Sequence, residues 1–302
     1  MNIGIVGLGK MGAALVSRWL AAQYKVIGYD VIIKSTTPIT VNSGATDFMI
    51  VDTLEALAQQ ARIIWLMIPA GKPVDQAIVD LIPFLKPRDI IIDGGNSYFE
   101  DSVRHYTLLK QHGISFLDCG VSGGIHGYEQ GFSLMIGGDK DAFEYVEPLF
   151  KVLAFPQGYA YVGPAGAGHY VKMVHNGIEY ALLQAYAEGF QLLKEGHYPH
   201  LDLAQISAAW NHGAVIRSWI LSLLHEILLK DQDLKNIAGI VDESGMGRWT
   251  VEQAHKYKVP VTLIEDALKI REQSHITGGN YATKLVALLR AAFGGHSVHK
   301  NT

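Results

Sequence analysis

The run Gly7-Leu8-Gly9-Lys10-Met11-Gly12 constrains this chain more than any other segment. It follows an apolar stretch at residues 3–6 and opens an amphipathic stretch at 11–22. A strand that turns through three spaced glycines into a helix begins a βαβ unit. Gly7 permits the tight turn, Gly9 lets backbone approach an anion, and Gly12 lets the helix pack close to the strand. The chain is 49% hydrophobic and 18% charged, a balance that folds rather than stays disordered.

The pattern then repeats. Further strands are predicted at 25–29, 63–68, 89–92, 115–117 and 132–136, with helices at 54–60, 73–85, 101–112 and 140–152. Pro73 suits the first turn of its helix, and Asp52 or Thr53 can cap the helix starting at 54. Such alternation implies a mainly parallel, doubly wound sheet, an α/β domain of Rossmann type. After Gly163-Pro-Ala-Gly-Ala-Gly168 the strand-like runs cease and helical segments continue to residue 293. An all-α C-terminal domain is therefore expected, with the boundary between 165 and 166.

Asp30 ends the second predicted strand, placed to hydrogen-bond a ribose 2′-hydroxyl. The glycine motif and Asp30 together imply a bound dinucleotide with its pyrophosphate on the helix N-terminus. A carboxylate repels a 2′-phosphate, and Val31-Ile-Ile33 offers no arginine to receive one; Lys34 is the nearby cation. NAD is favoured over NADP. Met67 and Pro69, in Met67-Ile-Pro69-Ala-Gly-Lys72, are read as lining the nicotinamide side, with an ordinary strand-to-helix turn as the alternative.

A second feature lies in the predicted helix beginning near Gly166. Lys172, His175, Asn176 and Glu179 fall at i, i+3, i+4 and i+7, on one side of it. Val174, Ile178 and Ala181 fall on the opposite side, available for burial. A base, an imidazole, a carboxamide and an acid on one rigid face suit proton transfer. A solvated helix face is the alternative that spacing alone leaves open.

Net charge is −4, so no nucleic-acid surface is implied and an anionic substrate needs a local basic cluster. The single cysteine, Cys119, precludes an internal disulfide and fits a reducing compartment. A small buried hydrophobe is its expected role, rather than a nucleophile. No basic leader precedes the first strand, and the run at 63–68 is too short to span a bilayer, so a cytoplasmic location is expected. No metal is expected: there is no His-Glu-x-x-His pattern, and His169 and His175 lie roughly 9 Å apart along a helix.

Three further glycine-rich runs, Asp93-Gly-Gly-Asn96-Ser97, Asp118-Cys-Gly-Val-Ser122-Gly123-Gly124 and Ser244-Gly-Met-Gly-Arg248-Trp-Thr250, complete the set. Together with Lys172-x-x-His175-Asn176-x-x-Glu179-Tyr180 and Arg290-x-x-Phe293-Gly-x-His296, they closely resemble the decarboxylating 6-phosphogluconate dehydrogenases in their short form. The matching residues run from the first strand to the tail. The wider β-hydroxyacid dehydrogenase superfamily shares the dinucleotide motif and the lysine; the Ser-Gly-Gly loop combined with His-Asn-x-x-Glu-Tyr and Phe-Gly-x-His is more specific.

The resemblance implies an NAD-binding domain at 1–165 and a helical substrate-binding and oligomerisation domain at 166–302. It implies oxidative decarboxylation of 6-phospho-D-gluconate to D-ribulose 5-phosphate and CO2. Lys172 would take the C3 hydroxyl proton, and Glu179 would protonate C1 of the enediol. Asn96, Ser122, Gly123, Gly124, His175 and Asn176 would hold the substrate carboxylate and hydroxyls, Asn96 lying beside the cofactor as well. Tyr180, Arg248 and Arg290 would take the phosphate, with Arg271 near another family phosphate arginine. Family members place the tail carrying Arg290 and His296 in a neighbouring subunit, implying a homo-oligomer. Arg248 stands where many long-form members carry lysine, which keeps charge but changes geometry. Two other readings remain: a non-decarboxylating β-hydroxyacid dehydrogenase of the 3-hydroxyisobutyrate type, and a non-catalytic NAD-binding sensor.

Overall fold

The computed structural model describes residues 1–33 and 47–301. Lys34 lies outside the described residues. The chain divides into two compact units, Met1–Lys172 and Met173–Thr302.

The first unit is built on one sheet, eight-stranded among the described residues. Its elements in order are β1 (Asn2–Val6), α1 (Lys10–Ala21), β2 (Lys25–Tyr29), β3 (Phe48–Ile50), α2 (Leu54–Gln60), β4 (Ile63–Leu66), α3 (Lys72–Leu81), β5 (Ile90–Asp93) and α4 (Phe99–Gln111). Then follow β6 (Ser115–Ser122), the short α5 (Gly127–Gln130), β7 (Phe132–Gly138), α6 (Lys140–Leu153) and β8 (Ala154–Gly163). Strand order is β3-β2-β1-β4-β5-β6-β7-β8, parallel throughout except for the antiparallel β6–β7 pair. The order reverses at β1, so β1 and β4 flank the switch point at which open α/β sheets bind ligands.

Why the sheet stands is visible in its central strands. Ile3 and Ile5 of β1, Ile63 and Trp65 of β4, and Ile90 and Ile92 of β5 enter one core with Leu15, Trp19 and Phe150. Their alternates Val6, Ile64, Leu66 and Ile91 enter a second core with Ile78 and Phe116. Period-two side chains buried on both faces are what a helix-covered parallel sheet requires. Thr53 caps α2 by accepting the Ala56 N–H at 3.1 Å.

Differences from the sequence reading have local causes. Helix α3 stops at Leu81 and passes into a 3₁₀ turn at Ile82–Phe84, because Pro83 supplies no N–H to continue an α-helix. Strand β8 carries Pro156 and Gly158 and, among the described residues, pairs with β7 alone, an edge strand whose sequence hides its extended state. Strand β6 runs five residues beyond the expected 117, because Cys119 to Ser122 pair with β7 from Ile136 to Ser133.

In the second unit the named helices are the rest of α7 (Ala167–Glu195, which the division crosses), α8 (Leu203–Asn211), α9 (Trp219–Lys230), α10 (Met246–Lys256), α11 (Thr262–Thr277) and α12 (Tyr281–Gly294). Leu183, Ala187 and Phe190 of α7, Leu221 and Leu224 of α9, and Leu285, Val286 and Leu289 of α12 form its core. The expected greasy side of α7 needs correction. Ile178 is 51% exposed, whereas Met173, Asn176, Tyr180, Leu183 and Ala187 are buried. The inward face is thus rotated from the one that apolar residues alone suggested, because polar side chains occupy part of it. Among the described residues no helix is long and apolar enough to cross a membrane.

Candidate active site

At the sheet's switch point Gly7 holds φ +99°, and a Cβ there would lie 2.3 Å from the Met67 carbonyl oxygen. Only glycine allows β1 and β4 to release their loops so close together. By contrast, a Cβ on Gly9 would meet nothing within 4 Å. The missing side chain there leaves open space over the N-terminus of α1, which Gly9 caps without a side-chain hydrogen bond. Lys10 is exposed and Met11 half-buried, while Leu8 is buried. Asp30 accepts the Leu8 N–H on Oδ2 at 2.8 Å and the Ile32 N–H on Oδ1 at 2.8 Å. Its carboxylate is fastened to the glycine-rich turn. This array fits a dinucleotide: amides at a helix start for a pyrophosphate, and carboxylate lone pairs for a ribose. Met67 is half-buried and Pro69 exposed on the loop after β4.

Two more loops leave the same sheet. The carboxylate of Asp93 is buried; Oδ1 accepts the Gly95 N–H at 3.0 Å and Oδ2 the Ser97 hydroxyl at 2.7 Å. That turn leaves Asn96 exposed at its tip. Ser122 ends β6, and Gly123 and Gly124 continue it with φ +122° and +55°. Cys119 is fully buried in β6, and burial pushes its thiol well above the usual range, which removes it as a nucleophile. Lys172 is 6% exposed, with its root against Gly120.

In the second unit His175 is exposed and its Nδ1 lies 3.0 Å from the Asn176 Oδ1; Glu179 is half-buried. Next to Glu179, the ring of Tyr180 packs beneath the guanidinium of Arg271, whose Cζ stands 3.3 Å from the ring centroid. A Cβ on Gly247 would meet the Tyr180 Cε2 at 2.4 Å, so the glycine of Gly247-Arg248-Trp-Thr250 makes room for the ring. Thr250 ties α10 to α7 through hydrogen bonds from Oγ1 to the Met246 and Met173 carbonyls at 2.9 and 2.8 Å.

Arg271 is 2% exposed, and neither Nη1 nor Nη2 has a hydrogen-bond acceptor in the protein; the buried Tyr180 hydroxyl is unpartnered as well. Burial and the neighbouring charge of Arg290 hold the Arg271 guanidinium down to about 10, against the pull of Tyr180, Glu179 and Glu243. Burial lowers Arg290 likewise. His296 is lowered by burial, then by Arg290 and Arg271. A buried guanidinium whose two terminal nitrogens meet no protein acceptor, beside a second buried cation, is costly unless an anion completes it. The structure therefore brings Tyr180, Arg271, Arg290 and His296 together from α7, α11, α12 and the tail.

Arg248, beside the Gly247 that packs against the Tyr180 ring, is held by carboxylates. It is exposed and donates from Nε and Nη2 to Glu243 and from Nη2 to Glu272 at 2.9 Å. Those two carboxylates carried no signal in the sequence reading. The tail, which the resemblance assigns to a neighbouring subunit, is paired here with its own chain: the Ala238 N–H donates to the His299 carbonyl at 2.9 Å and the Asn301 N–H to the Asn236 carbonyl at 3.1 Å.

The class defined by these features is a Rossmann-type dehydrogenase with a helical second unit. Comparison with known proteins narrows it. Residues 2–163 match the NAD binding domain of 6-phosphogluconate dehydrogenase, and residues 168–299 match the C-terminal domain of 6-phosphogluconate dehydrogenase. The chain belongs to the 6-phosphogluconate dehydrogenase family. It is 42% identical over 300 residues to the NAD(+)-dependent, decarboxylating 6-phosphogluconate dehydrogenase of Haloferax volcanii, covering 99% of this chain and 98% of that one. It is 37% identical to a Bacillus subtilis enzyme of the same description, over 91% of this chain and 62% of the other. Among solved structures, the Plasmodium falciparum 6-phosphogluconate dehydrogenase superposes with TM-score 0.79 at 27% identity, covering 97% of this chain and 70% of that one. A Mycobacterium tuberculosis 3-hydroxyisobutyrate dehydrogenase shares the fold, with TM-score 0.69 at 21% identity over 96% and 99% of the two chains.

Proposed function

We propose that this protein oxidatively decarboxylates 6-phospho-D-gluconate to D-ribulose 5-phosphate and CO2 with NAD as the oxidant. The observation that carries the reading is the buried Tyr180–Arg271 pair, in which the Tyr180 hydroxyl and the Arg271 Nη1 and Nη2 lack protein acceptors, with the buried cation Arg290 beside it. A phosphate dianion is the ligand whose charge and oxygens answer it. A substrate without phosphate would leave the buried cations unpaired, which disfavours an unphosphorylated hydroxyacid. The cluster also has no purpose in a sensor that binds only a dinucleotide.

Helix α7 carries both proposed proton-moving groups, seven residues and therefore about 10 Å of helix apart. Lys172 accepts the C3 hydroxyl proton as hydride leaves C3; bound at residues 7–12 and Asp30, NAD would supply the hydride acceptor. Accepting that proton requires the neutral amine. The C1 carboxylate then leaves as CO2, and its bonding electrons pass toward the C3 carbonyl. Lys172, now protonated, polarises that carbonyl by donating to its oxygen. Glu179 donates a proton to C1 of the five-carbon enediol, the former C2 of the substrate. Asn96, Ser122, Gly123, Gly124, His175 and Asn176 are assigned to the carboxylate and hydroxyls. Arg271, Arg290 and Tyr180 are assigned to the phosphate, with His296 beside them. Residues 7–12 and Asp30 are assigned to the cofactor, with Met67, Pro69 and Asn96 at its nicotinamide side, and Asp30 favours NAD by repelling a 2′-phosphate.

Assembly into a homo-oligomer in the cytoplasm belongs to the same proposal. Ile178, Leu182 and Leu192 are exposed along one side of α7, a surface that a second copy would cover.

The test is to follow NADH absorbance and CO2 release with 6-phosphogluconate, using NAD and NADP in parallel. Equal amounts of NADH and CO2, with NAD preferred, are expected. NADH without CO2 would make the protein a non-decarboxylating dehydrogenase, and silence with every hydroxyacid would make it a binder.

A further inference from the structure

Asp118 belongs to a run assigned to the substrate, yet the chemistry above has no use for it. It is completely buried in β6. Its Oδ1 accepts the Gly166 N–H at 2.7 Å, and its Oδ2 accepts the His169 N–H at 2.8 Å. Those amides belong to the first turn of α7 and the residue before it, where backbone donors have no partner inside the helix. The cap of α7 is therefore a carboxylate from a strand far back in the chain. Burial raises the Asp118 carboxyl above its ordinary value, and the hydrogen bonds from these two amides oppose that rise.

Two neighbours tighten the same turn. The His169 Nδ1 lies 2.7 Å from the Ser102 Oγ of α4, with both groups buried. Gly120, two residues beyond Asp118 on β6, lies directly under Lys172: a Cβ there would be 2.4 Å from the Lys172 Cβ and 3.0 Å from the Gly168 carbonyl oxygen. One strand thus supplies both the clamp on the helix start and the floor under the lysine. Lys172 follows His169 by three residues, less than one turn, so any shift of the clamped turn is passed to it.

We propose that Asp118 is the positioning residue for Lys172: by clamping the first turn of α7 to β6, it fixes the depth and rotation at which the Lys172 amine meets the substrate hydroxyl. This rests on the reading of Lys172 as the base. Misplacement of a reacting group by about 1 Å costs on the order of 100-fold in rate.

The experiment compares Asp118→Asn and Asp118→Ser with wild type and with Lys172→Met. Asn keeps the volume but turns an NH2 toward one of the two amides, and Ser keeps one acceptor; either variant, once folded, decides the question. We expect kcat per folded molecule to fall roughly 10- to 100-fold. The 6-phosphogluconate KM and the NAD Kd should stay within about twofold, since the clamp touches neither ligand. The kinetic isotope effect with substrate deuterated at C3 should rise, as the oxidation step becomes more limiting. Gly120→Ala, which pushes on Lys172 while leaving the clamp intact, should give the same signature. A variant that melts earlier but keeps wild-type kcat and isotope effect would reduce Asp118 to a structural group and overturn the proposal. Turnover by Lys172→Met would instead overturn the base reading, whatever the Asp118 variants do.

Discussion

In the first unit the candidate groups hang from strand ends: Gly7 after β1, Asp30 after β2, Met67 after β4 and Ser122 at the end of β6. Their partners are mostly backbone amides, as when Asp30 accepts from Leu8 and Asp93 from Gly95. In the second unit Tyr180, Arg271 and Arg290 come from three helices; the Arg271 guanidinium stacks on the Tyr180 ring beside the charge of Arg290, and Tyr180 and Arg271 leave buried donors without acceptors. A site made of backbone is complete before its ligand arrives. A site made of buried cations is held in an unfavourable state by the packing around it, and only the ligand relieves it. The first kind of site should tolerate substitution according to local geometry, and the second should trade stability against affinity.

That contrast sets the expected effects. Lys172→Met should lower kcat by about 1,000-fold or more while NAD affinity stays near wild type, measured by single-turnover NADH formation and by cofactor titration. Substantial residual turnover would remove the lysine from its role. Arg271→Met should raise the substrate KM by roughly 100-fold, the scale for losing a buried charge-assisted contact. Its melting temperature should stay level or rise. The reason is the sign of the linkage: with its folded value held down to about 10, the guanidinium is harder to charge folded than unfolded, so its charge opposes folding at every pH below that value.

His296 gives a smaller, pH-dependent effect. Burial and the two arginines lower its folded value, so its contribution to stability falls away as the pH drops through the unfolded range near 6.5. A bound phosphate opposes those arginines, and the complex should take up protons near pH 6.5. Calorimetric binding enthalpy should then vary with the ionisation enthalpy of the buffer, and His296→Gln should remove that variation. Arg248→Gln should change the substrate KM only a few-fold, because its guanidinium is exposed and engaged by Glu243 and Glu272. A larger effect in steady-state kinetics would return Arg248 to the phosphate.

The same contrast explains what could be read from sequence. The glycine motif, Asp30 and the alternation of β1, β4 and β5 are local patterns, and spacing alone exposes them. Strand β8 escaped because Pro156 and Gly158 mask an edge strand, and the buried face of α7 was misjudged because Asn176 and Tyr180 hold places that apolar residues usually take. The Arg271 site depends on three helices meeting, which no local pattern records; only the family resemblance pointed to it. Glu243 and Glu272 were invisible for the same reason, and Asp118 because its partners are amides of a distant helix.

The most direct test of the phosphate assignment is the ratio of kcat/KM for 6-phosphogluconate to that for gluconate, in wild type and in Arg271→Met. We predict a ratio of roughly 1,000 or more in wild type, consistent with several charge-assisted bonds to the phosphate, collapsing by at least about tenfold in the variant. An unchanged ratio would contradict the account, since the buried arginine would then have no part in recognising the phosphate.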